Sequence, residues 1–332
     1  MKRIAVDVMG GDQGPKAVID GVLMAREELS DFTFVLYGNE DQMKAHLPEN
    51  MKQIEIVHTT EEILGEDEPV KSIRQKKDAS MVLAAKSVKN GENDALLSLG
   101  NTGALLASGI FIVGRIKGIE RPALMPVLPV ENSDKGLTLL DAGANASCKS
   151  KHMVQWAEMG SFYSQSIRHV ENPRVALLNN GSEFDKGDEL HQEVYQLLSD
   201  RPNINFIGNI EGNEVLQGKA DVLVADGFSG NVMLKTLEGT ASTIMGVLKE
   251  NLLNNGLKVK VGAGLAKPAF KEISKQFDMA IYGGAVLMGA KAPVIKVHGR
   301  GDGRSIYYAF HQVDEMLKQD LVQQVKQAFD KK

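Results

Sequence analysis

The sequence predicts an α/β protein built on a largely parallel sheet covered by helices. Three observations predict it. The apolar runs are short and unbroken, as in strands buried on both faces. Helical patterns lie between most of them. Most of the runs also end in a short loop of Gly, Asn, Asp and Ser that leads into a helix. In a parallel sheet such loops gather along the carboxyl edge, where α/β proteins bind ligands.

Strands are expected at 4–8, 32–37, 54–57, 95–99, 123–128, 137–140, 175–178, 205–207, 222–225 and 294–297. Val18, Val22 and Ala25 make one apolar helix face, and Val82 and Leu83 belong to a second helix. Val154, Trp156, Ala157, Met159 and Phe162 mark a third, and Leu190, Val194, Leu197 and Leu198 a fourth. Pro15 suits a first helical position, where its missing N–H costs nothing. Asn101 and Ser229 are expected to cap the helices after their loops, and Asp12 can cap the first. Gly283-Gly284 reads as a tight packing or turning point.

Residues 236–282 differ from the rest. Two helical stretches, 237–253 and 268–281, flank a glycine-bearing segment that reads as the flexible tip of a helical arm. Leu257 and Val261 lie there among Lys258, Lys260 and Lys267. Basic and apolar residues together suit a membrane surface or an acidic partner. A helix pair at a dimer interface fits the composition better still. With no linker or repeat, the chain reads as one unit, 1–332.

At 332 residues and 43% hydrophobic, the chain can supply a full core. A net charge of −5 argues against general nucleic-acid binding. Cys148 is the sole cysteine, so no internal disulfide forms, which suits a reducing cytosol. The basic start reaches Asp7 too soon for a signal peptide. The uncharged stretch 103–114 is far shorter than the ~20 residues that span a bilayer. No Rossmann GxGxxG, P-loop, HExxH or GxSxG occurs, and no His/Cys pair has zinc spacing, so no cofactor and no metal is expected.

What remains is a set of loops fit to hold a small anion. Asp7 and Gly10-Gly11-Asp12 follow the first strand; Asn101-Thr102-Gly103 offers an amide, a hydroxyl and backbone N–H groups. Asp141 and Asn145 surround Ala142-Gly143-Ala144. Asn179 opens a loop that reaches Lys186, well placed to neutralise phosphate. Asp226, Ser229, Gly230 and Asn231 sit in the last such loop before the arm. His298 ends the final strand and can donate a hydrogen bond or a proton; a purely structural role fits it equally. Cys148 reads as packing. Lys71, Arg74, Lys76 and Lys77 form the most basic short run and can steer an acidic partner.

In this order, Asp7-Val8-Met9-Gly10-Gly11-Asp12, Ser98-Leu99-Gly100-Asn101-Thr102-Gly103-Ala104, Leu140-Asp141-Ala142-Gly143-Ala144-Asn145 and Asp226-Gly227-Phe228-Ser229-Gly230-Asn231 are specific. With them the chain resembles, over essentially its full length, the bacterial phosphate acyltransferase family (PlsX). The resemblance implies a three-layer α/β/α sandwich of the isocitrate/isopropylmalate dehydrogenase type, Rossmann-like, and a homodimer. It implies transfer of a fatty acyl group from acyl carrier protein to inorganic phosphate. The acyl phosphate would pass to a membrane glycerol-3-phosphate acyltransferase, with the enzyme at the inner face of the cell membrane. Lys186 and Asn231 resemble the family's essential pocket residues. The acidic carrier would dock on Lys71, Arg74, Lys76 and Lys77. Two other classes remain: a nicotinamide-dependent decarboxylating dehydrogenase of the same fold, and a non-catalytic phosphate sensor.

Overall fold

A computed structural model describes residues 1–131 and 133–330, except the side chains at positions 253 and 257. The apolar runs become strands β1 (Lys2–Asp7), β2 (Phe32–Gly38), β3 (Ile54–His58), β4 (Ala95–Ser98), β5 (Ala123–Met125) and β6 (Val127–Val130). They continue as β7 (Ser133–Leu140), β8 (Arg174–Asn179), β9 (Asn205–Glu211), β10 (Val222–Val224), β11 (Ala285–Met288) and β12 (Val294–Lys296). One sheet has the order β3-β2-β1-β4-β12-β11-β5 and the other β6-β7-β10-β8-β9. Pairing is parallel except around β11 and between β6 and β7.

Side chains alternate across a strand, so an unbroken apolar run fills two cores. Ile4 and Val6 pack on one face with Phe34, Leu36 and Leu97; Ala5 packs on the other with Val35, Tyr37 and Leu96. Both layers continue into the second sheet. Val175 and Val222 extend the first, and Ala176 and Leu223 the second. Helices Gly14–Arg26, Ser150–Ser166, Glu189–Ser199, Gly303–Lys318 and Leu321–Asp330 cover the first face through Val18, Trp156, Val194, Ile306 and Val325. Helices Pro69–Gln75, Ser80–Lys89 and Thr102–Ser108 cover the other through Ile73, Val82 and Leu105. The result is the expected α/β/α layering.

Several expectations need correction. The run 123–128 is not one strand of one sheet. It divides at Pro126, which has no N–H for a ladder, so β5 pairs in the first sheet and β6 in the second. Hydrogen bonds from the Leu139 N–H to the Pro126 carbonyl (3.0 Å) and from the Ala142 N–H to the Leu124 carbonyl (2.9 Å) join the sheets there. The strand β11, just after Gly283-Gly284, was not expected. Asp12 does not cap the first helix; its N–H donates to the Gly299 carbonyl at 2.8 Å. Asp226, not Ser229, caps the long helix Gly227–Asn254.

The glycine-bearing arm tip is largely helical. Helices Gly227–Asn254 and Leu257–Gln276 are separated only by Asn255 and Gly256, with Gly262, Gly264 and Pro268 inside the second. Ile244, Val247, Val261, Leu265 and Ile273 leave apolar side chains exposed along this arm. The side chain of Leu257 lies outside the described residues. Among the described residues no helix is long and apolar enough to cross a membrane.

Candidate active site

At the first sheet, the carboxyl ends of β1, β4 and β12 meet. Asp7 is buried and accepts hydrogen bonds from Ser80 and Ser98 hydroxyls, each at 2.6 Å. Burial pushes its carboxyl above the usual range, against those bonds. A Cβ on Gly10 would lie 2.3 Å from the Gly100 nitrogen, so only glycine lets these two loops touch. Gly11 has φ +100° and lies against Leu99. Lys296 closes the group: its Nζ donates to the carbonyls of Leu99 (2.9 Å) and Val297 (2.6 Å).

Asn101 spends its side chain on the fold. Its Oδ1 caps the helix at Ala104, and its Nδ2 donates to the carbonyls of Leu64, Gly65 and Asp67 at 3.1, 3.0 and 3.1 Å. Thr102 opens that helix, and Gly103 admits Pro69, whose Cγ would stand 2.5 Å from a Cβ there. The basic run therefore borders these loops. Lys71, Arg74 and Lys77 are exposed, whereas Lys76 pairs with Asp67 at 2.5 Å.

At the second sheet, Asp141 organises its own loop. Its carboxylate accepts from the N–H groups of Leu124, Gly143, Ala144 and Asn145 and from the Asn145 amide, at 2.7–3.2 Å. Against this loop presses the start of the long helix. Cβ atoms on Gly227 and Gly230 would stand 2.1 Å from the Asn145 carbonyl oxygen and 2.0 Å from that of Asp141. Asn231 lies beside Gly143, within 3.0 Å of a Cβ built there. Asp226 Oδ1 accepts from the N–H groups of Phe228 and Ser229, both at 3.0 Å.

Lys186 stands on the loop after β8. Asn179 braces that loop, donating to the Lys186 carbonyl at 3.1 Å. The Lys186 side chain is 45% exposed, and its Nζ is 3.9 Å from Glu183, too far for a hydrogen bond. Its charge is thus open to a ligand.

His191, which sequence reading missed, ties this loop to the helix start. Its Nδ1 is 2.6 Å from Asp188 Oδ1 and its Nε2 is 3.6 Å from Asp226 Oδ2. Asp226, then burial in opposition, then Asp188 set its pKa, with a net rise. For Asp226, burial opposes ionisation, but the nearby His191 charge and the hydrogen bond from the Ser229 N–H prevail and hold it well below the usual range. A histidine whose folded pKa is raised stabilises fully below its ordinary value and loses that contribution as pH rises through the raised one. His191→Gln is therefore expected to cost about 1–3 kcal/mol at about pH 6. The deficit should shrink in alkaline buffer; thermal melts of both proteins across pH check this, and a deficit independent of pH would refute it.

The long helix connects the two groups. It begins on the Asp141 loop, and two turns on its Lys235 and Glu238 act on His298. Burial, foremost, depresses His298; Glu238 opposes, while Lys235, Lys296 and Arg300 add to the fall. His298 Nδ1 accepts the Arg300 N–H at 3.1 Å, which leaves Nε2–H as the donor. Asp7, Gly10, Gly11, Asp12, Asn101 and His298 thus belong to one group. Asp141, Asn145, Asn179, Lys186, Asp226, Ser229, Gly230 and Asn231 belong to the other. A lysine ending an apolar strand was the available signal for Lys296; His191 had none beyond its spacing from Asp188.

Glycine loops line the carboxyl edges of both sheets, where α/β proteins bind ligands, and the long helix starts on one of them. The fold agrees with that of the phosphotransacylases. A branched-chain phosphotransacylase from Enterococcus faecalis superposes with a TM-score of 0.56 at 16% identity, covering 96% of this chain and 99% of that one. A phosphotransacetylase from Streptococcus pyogenes gives 0.56 at 15% identity, covering 97% and 94%. In sequence, the model of the fatty acid synthesis protein family matches residues 2–324. The phosphate acyltransferase of Lactobacillus delbrueckii subsp. bulgaricus is 59% identical over 331 residues, covering 100% of both chains. That of Lactobacillus gasseri is 58% identical over 330 residues, 99% of each. That of Streptococcus uberis is 52% identical over 331 residues, 100% of this chain and 98% of the relative. The chain belongs to this family, the phosphate acyltransferases of fatty acid synthesis, and is an acyltransferase.

Proposed function

We propose that the chain moves a fatty acyl group reversibly from acyl carrier protein to inorganic phosphate, giving the acyl phosphate used in phospholipid synthesis. The observation that carries this reading is the exposed Lys186, only loosely paired with Glu183 at 3.9 Å, on the loop after β8 at the same sheet edge as the glycine-rich start of the long helix. Phosphate is a strongly hydrated, weak nucleophile. Holding it against the thioester carbonyl can contribute about 7–11 kcal/mol in well-oriented model reactions. Lys186 neutralises its charge, and Asn231 orients it or the carbonyl. A phosphate oxygen attacks the carbonyl carbon, the carbon–sulfur bond breaks, and the carrier's thiolate leaves and takes up a proton. His298 Nε2–H can assist that step. Cys148 is a poor nucleophile here: burial, then Asp226, Asp141 and Asp188, push its thiol up to about 12. Direct attack, with no acyl group carried on Cys148, is the mechanism this supports. Incubation with acyl carrier substrate and phosphate, with the product trapped as hydroxamate, tests the reading; no hydroxamate, or an acyl group trapped on Cys148, would refute it.

The acidic carrier docks at the exposed Lys71, Arg74 and Lys77, with Lys76 held to Asp67. Reversing the charge of Lys71, Arg74 and Lys77 together is expected to slow reaction with carrier substrate at least about tenfold at low salt and to flatten its salt dependence. Unchanged rates would move the docking site elsewhere.

The exposed Ile244, Val247 and Ile273 of the arm serve a second copy of the chain in a homodimer, whereas the exposed Val261 near the tip touches the inner membrane face together with Leu257. There the acyl phosphate would reach the membrane glycerol-3-phosphate acyltransferase. Leu257→Glu with Val261→Glu should abolish flotation with anionic vesicles while leaving the sedimenting mass unchanged. Undiminished flotation would dismiss the contact.

A further inference from the structure

We propose that Lys296 holds a phosphate group at the carboxyl edge of the first sheet, as a second cationic anchor besides Lys186. The inference rests on the acyl-transfer reading above. Lys296 ends β12 between Ile295 and Val297, both buried. An ammonium has three N–H groups. Two are used, on the Leu99 and Val297 carbonyls, and the described residues supply no acceptor for the third.

The charge around it is unbalanced. Asp7 exerts the strongest counter-charge on it, yet its oxygens are taken by Ser80 and Ser98 and burial disfavours its charged form. Asp12 comes from the same loop. The long helix brings Lys235 with Glu238, and the following loop brings His298 and Arg300. Burial and Lys235 lower the Lys296 ammonium to about 8, against Asp7 and Asp12. A part-buried cation without a full partner is stabilised when an anion arrives. The contact of Gly10 with Gly100 sets backbone against backbone at this edge, while Gly11 lies against the Leu99 side chain and the Gly299 carbonyl.

Two phosphate groups enter the reaction: the inorganic nucleophile and the phosphodiester of the carrier's pantetheine arm. Lys296→Met and Lys296→Arg separate them, once melting confirms that both are folded. The KM of each substrate is read from about pH 6.5 to about 9.5. Lys296→Met is expected to raise one KM about tenfold or more. A higher KM for inorganic phosphate assigns the nucleophile; a higher KM for the carrier alone assigns the phosphodiester. Lys296→Arg, which stays charged, should restore binding and lack the alkaline loss of affinity expected of the wild-type protein above about 8. Two unchanged KM values in Lys296→Met would overturn the proposal, as would an alkaline limb that persists in Lys296→Arg.

Differential lysine labelling of the wild-type chain, read by mass spectrometry, needs no variant. Inorganic phosphate or phosphopantetheine should slow modification of Lys296 severalfold, and equal rates with and without both would overturn the assignment. A wild-type protein that forms no acyl phosphate sinks the acyl-transfer reading instead, while labelling still decides Lys296.

Discussion

Lys186→Ala is expected to lower turnover about 10²–10³-fold, the scale of losing one preorganised donor at a developing oxyanion, without unfolding the chain. The side chain is 45% exposed and its one ionic neighbour, Glu183, is 3.9 Å away, so little of the fold depends on its charge. Its methylenes do pack: Cγ would stand 2.6 Å from a Cβ on Gly181. Lys186→Met keeps that packing and removes only the charge, so it should share the catalytic loss and melt like the wild type. Asn231→Ala, by contrast, should raise the phosphate requirement more than it lowers turnover, because an amide orients a ligand without neutralising it. Phosphate titrations of initial rate read all three. Near-normal turnover in Lys186→Ala would remove this residue from the mechanism.

Asp141→Ala is expected to be the most destabilising change in the site. Its carboxylate is buried and accepts four backbone N–H groups and the Asn145 amide. Each buried donor left unpaired costs about 1–3 kcal/mol, so even partial rescue by water leaves a loss of several kcal/mol. One of those donors, the N–H of Leu124, belongs to β5, so the damage reaches the junction of the two sheets. The helix start suffers as well, since Gly230 rests on the Asp141 carbonyl. Denaturant unfolding measures the loss; a midpoint within error of the wild type would show that the loop stands without this carboxylate. Asp141→Asn is a milder case, with one acceptor oxygen kept.

The sequence disclosed the loops because their signals are local. An apolar run followed by glycine, asparagine and aspartate marks a strand end without any tertiary knowledge, and the strands before Gly10, Gly100, Gly143 and Asp226 all appeared where expected. Which atoms face a ligand was not legible. Asp141 and Asn101 looked like substrate contacts, yet their hydrogen bonds go to Leu124 and to Leu64, Gly65 and Asp67, partners set by folding. His191 and Lys296 stayed hidden for the same reason: Asp226 and Leu99 approach them from far along the chain. The strand β11 exists through its pairing with β5 and β12, since four residues after two glycines carry little propensity of their own. The arm misled in another way. Glycines usually punctuate helices, but only Gly256 falls at a helix boundary, and Gly262 and Gly264 lie within.

The strand that changes sheets at Pro126 has an implication for how this chain comes off the ribosome. Its first 125 residues include β1 to β5 but not β11 and β12, which complete the first sheet after residue 284. The nascent amino-terminal portion must therefore wait, with β4 and β5 unpaired on the sides that β12 and β11 later occupy, until nearly the whole polypeptide has emerged. Co-translational protease sensitivity of that portion should persist until those last strands are synthesised.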